Sequence, residues 1–374
     1  MKKYIALVLT LVFLGCSSGS DKPDPQPTDE GKDRSVMLKA LAENVIIPSY
    51  DQFKTKFDLM SAKSKAFTAK PDSQTLTEFR SAWTDAYVAW QRVELFDFGP
   101  AEKQTIRNFF NIYPASEAGI AANITDPTSS LEVPASYPTQ GFPALDYLIN
   151  GLGANDTSII AHYTTDKDAA KKLAYITRVI ARMDSLLGKV ISDWKGEYLN
   201  TFISKTGLDI GSSTSLMVNG SVLHYERYIR SGKFGIPSGA MASGIPAPEK
   251  VEAFYKKDIS KTLAQTAHKA YVDFFNGRHA ATGQAGPGLK TYLDALGAKD
   301  SGTGKLLTES INAQFQTAAA KLDVLKPNLY EEVKTNNQAM NDTYTEMQKA
   351  VRMLKVDMTS AMSITITYTD NDGD

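Results

Sequence analysis

The chain has 374 residues, of which 42% are hydrophobic and 22% are charged, and its 41 basic residues nearly balance its 42 acidic residues. This balance lacks the basic surplus that indicates a nucleic-acid-binding protein. The single cysteine excludes an intramolecular disulfide and a zinc site built from several cysteines.

The first 16 residues have the pattern of a bacterial lipoprotein signal peptide. Lys2 and Lys3 precede an apolar run, residues 5–14, that is too short to remain as a membrane span. A small residue, Gly15, stands directly before Cys16, so we predict cleavage there and lipidation of Cys16. An ordinary secretory signal with an incidental cysteine is the alternative. The expected location is the cell envelope, where the lipid would anchor the protein to the outer membrane. The protein could lie on either the periplasmic face or the surface face of that membrane.

The segment 17–34 contains almost no apolar residue and is rich in proline, serine and acidic residues. Such a composition cannot form a packed core, so it predicts a disordered tether. Folding is expected to begin near Ser35.

Most of the remaining chain shows apolar residues at spacings of three and four, which is typical of amphipathic helices. Residues 363–368 alternate instead, and they predict either one short strand or an extended tail. Long loops are expected at 97–138, 232–248 and 277–288, where glycine, proline and serine accumulate. Helices are predicted over about 36–65, 73–97, 142–150, 173–194, 214–230, 259–276, 304–326 and 329–358.

This pattern predicts an all-α protein of two domains, since roughly 340 residues exceed one ordinary core. Each domain is expected to be a helical bundle, with residues 35–206 in the first and 207–374 in the second. The two bundles would lie side by side with a cleft between them. The division is placed near Lys205–Gly211, where a long helical run ends.

The predicted helix 73–97 carries one face of aromatic residues that ends in a carboxylate. An aromatic face alone usually packs in a core, but a buried Glu94 must have a partner, because an unpaired buried charge costs several kcal/mol. Two interpretations stay open: Arg80, Arg92 or a residue of another helix neutralises Glu94, or Glu94 contacts a ligand. The face consists of Leu76, Phe79, Trp83, Tyr87, Trp90 and Glu94.

A second segment, Gly141 to Asp146, resembles the Gly-x-His-x-x-Glu motif of the imelysin-like family, where residues three apart share one helix face. Pro143 replaces the histidine and Asp146 replaces the glutamate. Other segments are similar to that family in order and spacing. They are Trp83, Tyr87 and Glu94 with the turn Phe98, Gly99 and Pro100; residues 233–239; Pro248 to Glu252; and residues 354–374.

The resemblance implies a two-domain helical fold, in which each half is a four-helix-bundle-like unit and a functional site lies between the domains. Carried over by position, Glu94, Asp146 and Asp357 are the candidate metal or ligand-binding residues. Iron or another divalent metal is the implied cofactor. Because proline has no ligating side-chain atom, the missing histidine argues against direct metal binding. The candidate cleft wall consists of Trp83, Tyr87, Phe98, Phe142 and Pro143.

The resemblance favours an envelope lipoprotein of iron or haem uptake that works with transport components and binds an ion, a chelate or a partner. A metal-dependent peptidase is the alternative, but the chain has no His-Glu-x-x-His motif, and four scattered histidines lack zinc-ligand spacing. A glycan-binding surface lipoprotein is the third hypothesis; it requires an exposed Trp83 or Trp90. The acidic end, residues 370–374, lacks the glycine position and bidentate glutamate of a calcium loop.

Overall fold

A computed structural model describes residues 32–369, and within that range the fold is all-α, as predicted. The predicted signal peptide, Cys16, most of the tether and the acidic end from Asp370 lie outside the described residues. Between residues 32 and 369 there is no β-strand, and the only bridges are the isolated pairs Arg278–Ala285 and Lys299–Leu306. No helix in this range has both the length and the apolar character needed to span a membrane.

The first half of the described chain is built on long helices. Helix α1 begins after Asp33, whose side chain accepts a hydrogen bond from Ser35 N, and it runs through a π-helical segment, Ala42–Ile46, into α2. Asp72 and Thr75 form a reciprocal capping box that fixes the start of α3. The long helices are α1 (Arg34–Leu41), α2 (Ile47–Ala69) and α3 (Ser73–Trp90).

The predicted helix 73–97 is too long at its C-terminal end. After Trp90, Val93 N donates to Trp90 O and Phe96 N donates to Val93 O, so i to i+3 bonds replace the α-helical ladder. Glu94 therefore begins a 3₁₀ turn, Glu94–Phe96, outside α3.

The predicted loop 97–138 contains short helices, so that prediction was wrong in part. Pro100 occupies the first turn of one helix and the Ser116 side chain caps another, two local signals that a search for long periodicity misses. The segments in order are α4 (Pro100–Lys103), α5 (Ile106–Phe110), α6 (Glu117–Thr125), a 3₁₀ turn (Pro134–Thr139), α7 (Gly141–Asp146) and a π-helical turn (Tyr147–Gly151).

Three helices complete the first half, and the longest, α9, buries an apolar face that includes Ile176, Met183, Leu187 and Val190. A non-helical connection follows at the predicted division, although the division into two domains stays a prediction. The helices are α8 (Asp156–Thr164), α9 (Ala169–Lys195) and α10 (Glu197–Ser204).

The second half begins with α11, which continues through the π-helical segment His224–Gly235 into the short α12. The predicted loop 232–248 therefore starts inside helical structure. A 3₁₀ turn, Pro248–Lys250, precedes the long C-terminal helices. In chain order, the helical segments of the second half, apart from the two given above, are α11 (Ser213–Leu223), α12 (Ile236–Ser238), α13 (Ser260–Phe275), α14 (Leu289–Ala295), α15 (Leu307–Asp323), α16 (Leu329–Arg352), a π-helical segment (Met353–Met358) and α17 (Thr359–Ala361).

The segment after α17 is extended and does not form a strand. The Asn219 side chain substitutes for a neighbouring strand, because its Nδ2 donates to Thr365 O at 3.0 Å and its Oδ1 accepts from Thr367 N at 2.8 Å. Of the two predicted alternatives, the described residues thus adopt the extended tail.

Candidate functional site

Glu94 belongs to a cluster of buried polar side chains. The Asn111 amide nitrogen lies 3.0 Å from Glu94 Oε1 and 2.8 Å from Glu252 Oε1, so one amide bridges two carboxylates. The Tyr87 hydroxyl lies 2.6 Å from Asn111 Oδ1 and 3.1 Å from Glu252 Oε1, and Gln91 Nε2 donates to the same Glu252 oxygen at 3.0 Å. With Lys233, these residues form what we call the buried cluster: Tyr87, Gln91, Glu94, Asn111, Lys233 and Glu252.

Lys233 supplies the positive charge of the buried cluster. Its ammonium forms an ion pair with Glu252 Oε2 and donates to Gln91 Oε1 at 2.8 Å. Lys233 and Glu252 are each only 2% exposed, so the pair is screened very little by solvent. Because this pair neutralises Glu252, Glu94 is the carboxylate of the cluster that forms no ion pair with any residue in 32–369.

The two arginines that the sequence offered as partners of Glu94 do not fill that role. Arg80 pairs with Asp156 at 2.6 Å, and Arg92 forms no ion pair with Glu94. Burial raises the pKa of Glu94 to about 7; the nearby Glu252 charge acts in the same direction, while Lys233, Arg107 and the Asn111 hydrogen bond oppose it. A carboxyl group with this pKa exchanges its proton near neutral pH.

Asp146 is also buried, and it holds a loop in place. Tyr255 N and Lys256 N each donate to its carboxylate at 3.0 Å, and Asn150 Nδ2 donates at 2.9 Å. Burial raises the pKa of Asp146 to about 7 against these three hydrogen bonds. The loop 251–257 places Glu252 in the buried cluster, and the backbone amides of Tyr255 and Lys256 in the same loop bind Asp146.

This 251–257 loop has a strained backbone. Ala253 and Lys257 adopt φ of 55° and 65°, in the left-handed region that costs residues with a Cβ about 1 kcal/mol or more. The hydrogen bonds from two loop amides to Asp146 and the ion pair of Glu252 with Lys233 hold the loop in this conformation. Glu94 and Asp146 are thus linked through one loop, although no hydrogen bond joins them directly.

In the segment that resembles the family motif, Gly141 and Pro143 both suit the backbone conformation at the start of α7. Gly141 has φ of 77°, and a Cβ at this position would lie 2.3 Å from Phe110 O, so only glycine fits. Pro143 lies in the first turn of α7, where its fixed φ is favourable. Phe142 stacks on Tyr87 with ring centroids 4.6 Å apart, and its carbonyl accepts from Trp83 Nε1 at 3.3 Å.

Of the predicted wall residues, Trp83, Tyr87 and Phe142 pack against one another in the core. Trp83 is 0% exposed and Trp90 is 1% exposed, so the aromatic face of α3 offers no platform for a sugar. This contradicts the requirement of the glycan hypothesis. Phe98 packs elsewhere, against Trp194 and Phe202 at centroid distances of 6.1 and 6.0 Å.

Asp357 stands apart from the other two candidate carboxylates. It lies half-buried in the π-helical segment Met353–Met358 and forms no hydrogen bond or ion pair with Glu94 or Asp146. The structure therefore links Glu94 to Asp146 but does not join Asp357 to them.

A cavity of about 410 Å³ opens beside Glu94. It lies between the segment 94–114 and the segment 227–250, and we call it the Glu94 cavity. Sequence reasoning missed most of its polar residues, although Lys233 and Lys250 lie in segments already noted for their family similarity. The lining includes Glu94, Arg107, Asn111, Tyr113, Tyr228 and Lys233.

The residues present do not fit a metal centre. In residues 32–369 no group of three His, Cys, Asp or Glu side chains converges on one point. Pro143 has no ligating atom, and the Asp146 oxygens are already occupied by three N–H donors. Glu94 lies close to the positive charges of Lys233 and Arg107, which disfavour a cation there.

The four histidines occupy separate environments. His162 is paired with Asp166, His268 lies between the Tyr225 hydroxyl and Phe315 O, and the His279 ring accepts from the amides of its own turn. His224 is buried, and neither ring nitrogen has a partner in the described part of the chain. Burial, together with Lys233 and Arg107, lowers the pKa of His224 well below its usual range, so the ring is neutral.

The chain is similar in sequence to a known protein family. Residues 46–358 match the family model described as Imelysin. A segment of 140 residues is 21% identical to iron-regulated protein A of Synechococcus elongatus, covering 37% of this chain and 38% of that protein. The match therefore spans well under half the length of that relative.

Two solved structures share the fold. An imelysin-like protein from Psychrobacter arcticum superimposes with a TM-score of 0.68 at 18% identity, covering 90% of this chain and 98% of the other. A putative iron-regulated protein A precursor from Parabacteroides distasonis gives a TM-score of 0.67 at 17% identity, covering 89% and 97% of the two chains.

Proposed function

The chain belongs to the imelysin family, and from that premise we propose that it is a cell-envelope protein of iron acquisition that binds an iron-bearing ligand in the Glu94 cavity. The names of two relatives, both iron-regulated protein A, support the link to iron. The predicted lipoprotein start supports the envelope location. The expected partners are iron or haem transport components, with the membrane contacted through the lipid anchor alone.

The observation that carries the proposal is the Glu94 cavity itself. Its volume, about 410 Å³, lies in the range of small-molecule sites, and a titratable carboxyl group lines it beside an ion-paired lysine. Buried groups with shifted pKa values in a cavity are typical of functional sites.

A binding role fits these residues better than peptide hydrolysis does. A metallopeptidase needs three protein ligands to hold a metal and a base to activate water. Here the histidine position of the family motif carries Pro143, and Asp146 is committed to the 251–257 loop. We therefore propose that the ligand enters with its iron already bound.

Titration calorimetry tests this proposal. Haem, a ferric chelate, ferrous ions and zinc ions would be added separately to the purified protein, to the Glu94→Gln variant and to the Glu249→Gln control, whose side chain is exposed. We expect heat from haem or the chelate, with an affinity that changes in Glu94→Gln and stays at the wild-type value in Glu249→Gln, because only Glu94 lines the cavity. Absence of heat with every iron species would contradict the proposal, and proteolysis that a chelator abolishes and zinc restores would establish the peptidase alternative.

A further inference from the structure

The charged residues around the Glu94 cavity are mostly basic. Arg107, Arg227, Lys233 and Lys250 line it, and Glu94 is the only acidic residue in the lining. Two of these cations have carboxylate partners behind the cavity surface, Asp97 for Arg107 and Glu252 for Lys233. Four cations therefore face three carboxylates, so one positive charge is left over even when Glu94 is ionised.

Arg107 is held in a fixed orientation at the cavity. Its guanidinium lies 3.6 Å from the centre of the Tyr228 ring, and its Nε donates to Asp97 Oδ2 at 3.1 Å. Its Nη2 donates to the Asn108 side chain, while its Nη1 has no acceptor in residues 32–369. Arg107 is only 8% exposed, so this free donor is pre-oriented in a partly desolvated site.

Further donors surround the same space. The Tyr113 hydroxyl makes no hydrogen bond within residues 32–369, and burial, with Glu252 and Glu94, raises its pKa well above the usual value, so it remains a donor. Lys250 is exposed at the rim and forms no ion pair in the described range. Arg227 donates to Thr369 O at 3.1 Å and likewise has no carboxylate partner there.

From this arrangement we infer that the Glu94 cavity recognises its ligand through oxyanion groups, as a small polycarboxylate or phosphate compound. The inference rests on the proposed function for the iron, which the anion would carry as a chelate, but the recognition of the anion stands on the geometry alone. A planar guanidinium with a free donor, a phenol and nearby ammonium groups match carboxylate and phosphate oxygens. A bare metal ion is itself positive, so the surplus positive charge of the cavity would repel it.

Calorimetry with citrate, ferric citrate and inorganic phosphate tests the inference on the full chain. Arg107→Gln should weaken citrate binding about 10-fold or more, the usual effect of losing a charge-assisted hydrogen bond. Lys250→Gln, which leaves the core intact, should weaken it about 2–5-fold, as expected for a rim charge. Lys189→Gln removes the same charge from an exposed position on α9 and should have no effect. Added salt should weaken binding.

The outcomes separate this inference from the proposed function. Binding of citrate or ferric citrate that is weakened in both Arg107→Gln and Lys250→Gln supports the inference. Comparison of the two compounds shows whether the cavity binds the free anion or its iron chelate. Heat from haem, with none from citrate, ferric citrate or phosphate, would overturn the inference and leave the iron proposal standing. Oxyanion binding unchanged in Lys250→Gln and in a folded Arg107→Gln would also overturn it. No binding of any iron or oxyanion species would overturn both.

Discussion

The ion pair between Lys233 and Glu252 gives a quantitative stability prediction. Glu252→Ala would leave the Lys233 ammonium buried without its counter-charge and would remove an acceptor from Tyr87, Gln91 and Asn111. Removal of one partner from a buried ion pair costs about 3–5 kcal/mol. This is a large part of the roughly 5–15 kcal/mol by which proteins are stable.

Differential scanning calorimetry would measure this loss. An unfolding entropy of about 2.1 cal/mol/K per residue over roughly 340 residues makes 1 kcal/mol equivalent to about 1.4 °C, so Tm should fall by about 4–7 °C. Glu249→Ala, in the 3₁₀ turn before the same loop, is the matched control and should leave Tm almost unchanged, because Glu249 is exposed. Adding Lys233→Met to Glu252→Ala should recover part of the loss, because the unpaired charge is removed. A decrease in Tm of about 1 °C or less for Glu252→Ala would refute the reasoning.

Three further predictions concern the site and its supports. The raised pKa of Glu94, about 7 against an ordinary 4.5, means that folding favours its protonated form; this stability is present at low pH and is lost as pH rises through about 7. Urea denaturation would measure the free energy of unfolding at pH 5 and at pH 8. Between these two pH values it should fall by about 2–3 kcal/mol more for the wild type than for Glu94→Gln, and an equal fall for both proteins would contradict this. Gly141→Ala should cost at least about 1–3 kcal/mol in the same assay, whereas Gly188→Ala, with open space around it, should be neutral or slightly stabilising. Asn219→Ala should accelerate hydrogen exchange in 363–369; unchanged exchange would show that the tail is held by other contacts.

The sequence predicts the burial of Glu94 better than it predicts the shape of the segment that carries it. The spacing from Trp83 through Tyr87 and Trp90 identifies the inward face correctly, and those side chains are buried. The switch from α-helical to i to i+3 bonding after Trp90 leaves no mark in that spacing. Glu94 still points inward, because a tighter turn of a few residues changes its direction only modestly.

The partners of Glu94 could not be predicted in the same way. Asn111 and Glu252 lie far from Glu94 in sequence, and no periodicity connects residues that meet through tertiary packing. Similarity to a family motif indicated Asp146, but it could not reveal that three N–H donors already occupy that carboxylate. Every residue except proline carries a backbone N–H donor, so the sequence does not show which amides will bind a given carboxylate.

The position of the 251–257 loop bears on how this protein can evolve. The loop comes from the second half of the sequence, yet its side-chain and main-chain partners, Asn111 and Asp146, come from the first. A recombination event that joined residues before 207 to the remainder of a distant homologue would separate these partners. We therefore expect substitutions at Glu252 to be tolerated only together with changes at the residues that enclose it.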